Sequence, residues 1–283
     1  MRASIWRALW FVALLLLIMG CGGDSDSNGG SPGRDDSDND PSVGSEFYTA
    51  GPFGASSLRD GAHTFYYPRT LGTDGIRHPV VLWGNGTGTS PSSYGPLLRL
   101  WASHGFVVAA ANTASAGSGE EMLAGLDRLI QLKDDPDSLF YQAVDTARVA
   151  ASGHSQGGLG ALAAGRSERV TTVMPIQGAL TFTRGITGSA FFLAGENDTI
   201  ISASGVRRAY EANTGIPAAY GSLRRAGHME PSYTGGGYRG PTTAWLRWQL
   251  LDDPNAEAWF VGENCVLCAS PDWVYEANAL LNE

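Results

Sequence analysis

One serine of this 283-residue chain stands in a setting suited to nucleophilic chemistry. Ser155 lies in Gly153-His154-Ser155-Gln156-Gly157, just after the β-rich run Arg148–Ser152 and just before the small residues Gly157-Gly158-Leu159-Gly160. In a G-x-S-x-G turn the serine is held in a strained backbone conformation between strand and helix. The flanking glycines let the two elements approach, and the hydroxyl is lifted above the carboxyl end of a sheet. The following helix then offers its free N–H groups, Gln156 N–H first, to a developing oxyanion. A pattern this short also fits a Gly-rich turn in an unrelated α/β protein; the strand before and the helix after favour the catalytic reading. A phosphate-cradling loop fits poorly, because no Lys follows in the G-K-[ST] position.

A serine nucleophile of this type needs an acid and then a histidine later in the chain. The run Ala190–Ala194 leads into Gly195-Glu196-Asn197-Asp198, and the carboxyl end of this next-but-one strand is where the acid belongs. Asp198 is the choice and Glu196 the competitor. His228, in Gly227-His228-Met229-Glu230 after the run Ala218–Leu223, is the one histidine that follows either acid. His63, His78 and His104 precede the serine, and His154 lies in the turn itself, so all four have structural readings. Together the three residues predict acyl transfer: His228 as general base and acid, Asp198 holding its tautomer, Ser155 as nucleophile. The second oxyanion donor is expected from Gly84-Asn85-Gly86-Thr87-Gly88-Thr89, with Asn85, Gly86 and Thr87 left as candidates.

These residues must be carried by alternating strands and helices. The β-rich runs are His63–Tyr67, Pro79–Trp83, Phe106–Ala111, Arg148–Ser152, Val170–Ile176, Ala190–Ala194 and Ala218–Leu223. Helical stretches fall at Tyr94–Ser103, Gly119–Lys133, Gln156–Ser167, Ala203–Asn213 and Thr242–Leu251. This alternation predicts an α/β fold with a mostly parallel sheet covered by helices on both faces. HTFYY alternates and is expected to form an antiparallel edge.

The start of the chain reads differently. Arg2 and Arg7 precede a short apolar run from Ala8 to Met19, too short to span a bilayer, and residues 1–20 have the plan of a secretory signal peptide. Ile18-Met19-Gly20-Cys21 resembles a bacterial lipobox, which makes Cys21 the expected lipidation site; an ordinary signal with a free Cys21 thiol is the alternative. Residues 21–45 carry six Asp and one Arg among Gly, Ser, Asn and Pro, and are read as a flexible acidic tether. The Asp cluster lacks the ligand spacing and terminal Glu of a calcium loop. Residues 46–283 hold 22 acids against 16 bases and form a single expected catalytic domain. That balance leaves no basic surplus to track a phosphate backbone, so nucleic acid is excluded as an expected partner.

With these residues in view, the chain resembles the bacterial cutinase-like, PET-hydrolase-like polyester hydrolases of the α/β-hydrolase superfamily. The likeness is carried by Gly51-Pro52-Phe53, Tyr66-Tyr67-Pro68, the SHGFVV of Ser103–Val108, Val144-Asp145-Thr146-Ala147-Arg148, GHSQGG, Glu196-Asn197-Asp198 and Gly227-His228. It implies an α/β-hydrolase with a Ser-His-Asp triad, no cofactor or metal, and an ester substrate, with polymeric and lipid esters as candidates. The family's first oxyanion donor falls here at Asn85 or Gly86. Pro175-Ile176-Gln177-Gly178-Ala179-Leu180 lacks the aromatic that clamps aromatic polyester rings in that family, and Gln156 stands where Met is usual. A serine peptidase or amidase, or a silent binding lipoprotein on the same fold, are the competing functions.

Cys265-Val266-Leu267-Cys268 replaces the family's C-terminal disulfide pattern, in a tail that also holds Trp259 and Trp273 and is expected to be extended. A thioredoxin-like context and further zinc ligands are both missing, so a local Cys265–Cys268 disulfide is expected in an exported chain. About a dozen residues separate the run ending near Gln177 from the one starting near Ala190. That is short for a helical lid, and it predicts an open cleft with Tyr94, Trp101 and Phe182 as candidate walls. The expected protein is a monomeric, exported lipoprotein of the outer membrane or cell surface, touching the membrane through its lipid anchor alone.

Overall fold

Runs such as VVLW and VVAAA have no polar alternation, which suits strands covered on both faces. In the computed structural model, which describes residues 45–178, 185–213 and 215–282, they form the centre of a nine-stranded sheet. The signal segment, Cys21, nearly all of the acidic tether and Phe182 lie outside the described residues, which all belong to one compact unit spanning residues 41–283.

The strands are β1 (Ala55–Asp60), β2 (His63–Pro68), β3 (His78–Gly84), β4 (Val107–Ala111), β5 (Val144–His154), β6 (Thr172–Ile176), β7 (Ser189–Gly195), β8 (Ala218–Leu223) and β9 (Trp273–Ala277). The helices are α1 (Gly95–Ser103), α2 (Glu120–Asp134), α3 (Gln156–Ala164), α4 (Ala203–Glu211), α5 (Arg239–Leu251), α6 (Pro254–Glu257) and α7 (Val266–Ala269). The spatial order is β1-β2-β4-β3-β5-β6-β7-β8-β9. The six strands from β4 to β8 pair in parallel, and the pairs at both ends are antiparallel.

Alternate side chains divide between two cores. Val81, Trp83, Val108, Ala110, Phe191 and Leu193 face α1 and α5, packing on Leu97, Trp101, Trp245 and Leu246. Val80, Leu82, Val107, Ala109, Ala190 and Phe192 face the other way, onto Met122 and Leu126 of α2, Leu162 of α3 and Val206 of α4. Helices therefore cover both faces, as the alternation of elements predicts. Trp101 is fully buried against Trp83 and so is core, not a cleft wall.

Three features depart from expectation. HTFYY is not the edge: β1 pairs outside it, hydrogen-bonded along its whole length. β1 had no apolar signature because Ser57, Leu58 and Arg59 are exposed. β5 begins at Val144, because the register shift between Pro79, paired with Asp145, and Val80, paired with Val149, accommodates Thr146–Arg148; there Arg148 Nε bonds Asp145 Oδ2 at 2.8 Å. The tail is not extended. It folds through α6 and α7 and closes the sheet as β9, antiparallel to β8, with Trp259 and Trp273 buried in the α1/α5 core. The Cys265–Cys268 disulfide links the N-cap of α7 to its third residue, with Cα atoms 5.2 Å apart.

Candidate active site

The carboxyl ends of β5, β7 and β8 and the turn after β3 converge on one cleft. Between β5 and α3 the chain reverses at Ser155 with φ 56° and ψ −119°, a conformation costing a non-glycine residue ~1–3 kcal/mol. Ser155 N–H is held by Ile176 O at 3.0 Å. The glycines around it are required by contact. A Cβ on Gly157 would stand 2.0 Å from Gly84 O, and one on Gly153 2.4 Å from Gly157 O. Side chains at either position would push α3 off the ends of β3 and β5, and the turn could not form.

The histidine and its acid come from two loops bound to one another. Glu196 N–H donates to Leu223 O and Asn197 N–H to Ala226 O, both at 2.9 Å. Asp198 is 5% exposed, and its Oδ1 accepts the N–H groups of Ile200 and Ile201 at 2.8 and 2.9 Å. Its Oδ2 lies 2.7 Å from His228 Nδ1, and His228 Nε2 lies 2.9 Å from Ser155 Oγ. A carboxylate accepts, so Nδ1 carries the proton and the Nε2 lone pair faces the serine hydroxyl. Glu196 is turned elsewhere: its Oε2 accepts Arg225 N–H at 2.8 Å and its Oε1 faces Arg224 at 3.6 Å. The arrangement can therefore take a proton from Ser155, hold it as imidazolium beside a buried carboxylate, and return it to a leaving group.

Of the turn residues expected to supply a second oxyanion donor, Asn85 is fully buried and structural. Its Oδ1 accepts Trp83 Nε1–H at 3.0 Å, and its Nδ2 donates to Ala111 O at 2.6 Å and Thr113 O at 3.0 Å. Gly86 N–H donates to Tyr94 Oη at 3.2 Å. Thr87 lines the cleft, and its N–H has no acceptor among the described residues. Gln156 opens α3, so its N–H is one of the free first-turn donors; its side chain packs toward Gly117.

The cleft has a volume of 280 Å³ and is walled by Gly86, Thr87, Thr89, Tyr94, His154, Ile200 and Met229 around Ser155 and His228. Ile200 and Met229 stand at its mouth, 67% and 61% exposed. Tyr94 lines it while otherwise buried. His154, read from sequence as a bystander, is also in this wall: its Nδ1 is 2.8 Å from Tyr94 Oη and its Nε2 2.8 Å from His228 O. Burial, then the neighbouring His228 charge, pushes its pKa down to about 4, against the opposing pull of the His228 carbonyl, the Asp198 charge and the Gln177 side chain. No sequence pattern distinguishes it; only the tertiary approach of the two loops does. His63, His78 and His104 bond the carbonyls of Glu121, Gly105 and Thr49, as structural histidines do. Among the described residues no group of His, Cys, Asp or Glu is disposed to hold a metal, and no helix is long and apolar enough to cross a membrane.

A mostly parallel sheet with helices on both faces, a serine on a strand-to-helix turn at its carboxyl end, and an acid and histidine on later loops define an α/β-hydrolase of the serine-hydrolase class. The profile of the PET hydrolase-like family matches residues 38–271, and the chain belongs to that family, a family of carboxylic ester hydrolases. It is 30% identical over 238 residues to cutinase est2 of Thermobifida alba, covering 78% of this chain and 72% of that protein. Cutinase est1 of the same organism is 30% identical over 248 residues, covering 78% and 76%. Cutinase 2 of Thermobifida cellulosilytica is 36% identical over 118 residues, covering 40% and 42%.

Proposed function

We propose that the protein hydrolyses carboxylic esters through an acyl-enzyme on Ser155. His228 Nε2 takes the Ser155 proton as Oγ attacks the ester carbonyl, and the carbonyl electrons move onto oxygen. Asp198 stabilises the imidazolium so formed. Collapse of the tetrahedral intermediate breaks the ester C–O bond while His228 protonates the departing alcohol. Water then attacks the acyl-serine by the same route, releasing the acid and restoring the serine. The 2.9 Å and 2.7 Å contacts running Ser155–His228–Asp198, with the serine on its strained turn, carry this reading. The N–H groups of Gln156 and Thr87 are the oxyanion donors. Gln156 is favoured by its place at the start of α3, and Thr87 because it lines the cleft, whereas Asn85 is fully buried away from it and Gly86 N–H is bonded to Tyr94.

The substrate is a bulky or polymeric ester with aliphatic character. β6 and β7 are joined through residues 177–188 alone, which is short for a helical lid, and the exposed residues at the cleft mouth, Ile200 and Met229, are aliphatic, while the rings of Tyr94 and His154 are buried and hydrogen-bonded to one another. The relatives' description as cutinases agrees with polyester substrates. Replacing Ser155 by Ala should abolish turnover of aryl esters. Rates on a chain-length series, beside an insoluble aliphatic and an insoluble aromatic polyester film, should rank the aliphatic film first. Cleavage of short soluble esters alone would remove the polymer part of this proposal.

Residues 46–283 act as one monomeric catalytic domain, exported by the signal in residues 1–20, lipidated on Cys21 and held off the membrane by an acidic tether. The basic start, short apolar run and Ile18-Met19-Gly20-Cys21 support this. Labelled palmitate should enter the wild-type chain and not Cys21→Ser, whose activity should move to the soluble fraction.

A further inference from the structure

We propose that Tyr94 and neutral His154 form a positioning strut that sets the oxyanion turn against the catalytic histidine; it rests on the acyl-enzyme reading above. The direction of every bond in it can be worked out. A backbone carbonyl only accepts, so the 2.8 Å contact between His154 Nε2 and His228 O requires a proton on Nε2. Neutral His154 then has a bare Nδ1, which accepts from Tyr94 Oη–H at 2.8 Å. With its proton so directed, Tyr94 Oη is free to accept Gly86 N–H at 3.2 Å. The run Gly86 N–H to Tyr94 Oη–H to His154 Nδ1, then His154 Nε2–H to His228 O, spans the site in one direction.

Each end touches something that matters for reaction. At the turn, Gly86 O accepts both Thr89 N–H at 3.1 Å and Thr89 Oγ1–H at 2.8 Å. A peptide is planar with its C=O and N–H opposed, so holding Gly86 O on Thr89 aims Thr87 N–H the opposite way. Gly88, at φ +72°, supplies the left-handed residue that such a turn needs. Position 86 has no room for a side chain because the strut occupies it: a Cβ would lie 2.9 Å from Tyr94 Oη and 3.2 Å from His154 Nδ1.

At the other end, two successive carbonyls of the histidine loop are held by buried side chains. Gln177 Nε2 donates to Gly227 O at 2.9 Å, and His154 holds His228 O, with the two imidazole centroids 4.8 Å apart. The groups around His154 are therefore His228, Asp198 beyond it, Gln177 and Tyr94, and a neutral ring is the form that fits beside an imidazolium. The hydrogen bonds of Tyr94 and His154 go to Gly86 N–H, to one another and to His228 O, not to Ser155 Oγ or to the His228 ring. Their effect is on where Thr87 N–H and His228 Nε2 stand relative to Ser155, and such placement acts on the transition state more than on ground-state binding.

The test uses Tyr94→Phe, His154→Gln and the double variant of the full chain, on a soluble aryl ester, with two-bond proton–nitrogen spectra of the wild type. Tyr94→Phe keeps the ring among Trp83 and its neighbours and removes only the hydroxyl. His154→Gln keeps a donor toward His228 O and removes the ring nitrogen at the Nδ1 position, so that one side chain no longer meets both partners in the same rigid ring. Each single variant should lower kcat about tenfold with KM within about twofold and melting within a few degrees. The double variant should lose no more than about twice the larger single loss, against about a hundredfold for independent residues. The spectra should show His154 protonated at Nε2. A Tyr94→Phe kcat within twofold of wild type, losses that multiply, or an Nδ1–H tautomer would overturn the strut. Should His154→Gln fail to fold, Tyr94→Phe and the tautomer decide it. Failure of the parent reading is separate, since it would appear as ester turnover surviving in Ser155→Ala.

Discussion

Gly157 lies so close to Gly84 that a Cβ on it would fall 2.0 Å from Gly84 O and 2.7 Å from Asn85 O. The nucleophile turn, the end of β3 and the start of the oxyanion turn are thus packed backbone to backbone. Gly157→Ala is expected to cost at least ~3 kcal/mol, at the upper end for overpacking, since both atoms met belong to backbone. Urea unfolding should show an earlier midpoint, and any folded fraction should have lost turnover. A variant with wild-type midpoint and rate would mean that α3 does not pack as described.

Asp198 is buried and bonded to His228 Nδ1, while Glu196 is bonded to Arg225 N–H on the surface of the loop. Asp198→Asn should lower kcat by about 10³- to 10⁴-fold, because the amide favours the wrong imidazole tautomer. Glu196→Gln should stay within about twofold. Steady-state kinetics of the pair separate the two carboxylates directly.

Stability should depend on pH through His154. Its pKa in the fold is held down at about 4 by burial and by the His228 charge, against 6.5 for an ordinary histidine. Between these values the unfolded chain binds a proton that the native one does not, so stability rises with pH across this window and falls as pH drops through it. Complete passage corresponds to about 3 kcal/mol. His78 and His104, also lowered mainly by burial, act in the same direction. Melting curves from pH 7.5 to 4.5 should slope accordingly, and His154→Gln should flatten part of the slope. An unchanged slope would show that His154 titrates normally.

The Cys265–Cys268 disulfide closes a very short loop, for which chain entropy gives about 2 kcal/mol. It fastens α7, whose Leu267 is buried beside the segment leading to β9. Reduction should lower the melting temperature by a few degrees and leave kcat on soluble esters unchanged, because no residue of α7 or β9 lines the catalytic cleft. No change in melting would mean the pair does not stabilise the tail.

Much of this architecture was legible because it rests on local pattern. Continuous apolar runs mark β3, β4 and β7, and the glycines of the turn are dictated by backbone contact at positions 84, 153 and 157. Ser155, Asp198 and His228 could be picked out by residue type and chain order, and the fold brings them together. β1 escaped notice because an edge strand with Ser57, Leu58 and Arg59 in solvent has no face to alternate. β9 has no local signal because its pairing with β8 bridges fifty to fifty-eight residues of sequence, and Trp259 and Trp273 find their burial only after that closure. His154 has the same explanation. Its neighbours Tyr94 and His228 are 60 and 74 residues away, and nothing local to GHSQG distinguishes a bystander from a strut.

Ester hydrolysis by this route requires that Ser155 be the group that becomes acylated. Treating the folded protein with a serine-reactive organophosphonate and mapping the adduct by mass spectrometry tests it most directly. A single stoichiometric adduct is expected on Ser155, absent in Ser155→Ala and formed in step with loss of ester hydrolysis. No adduct on the folded enzyme, or inactivation that proceeds with Ser155 unmodified, would contradict it.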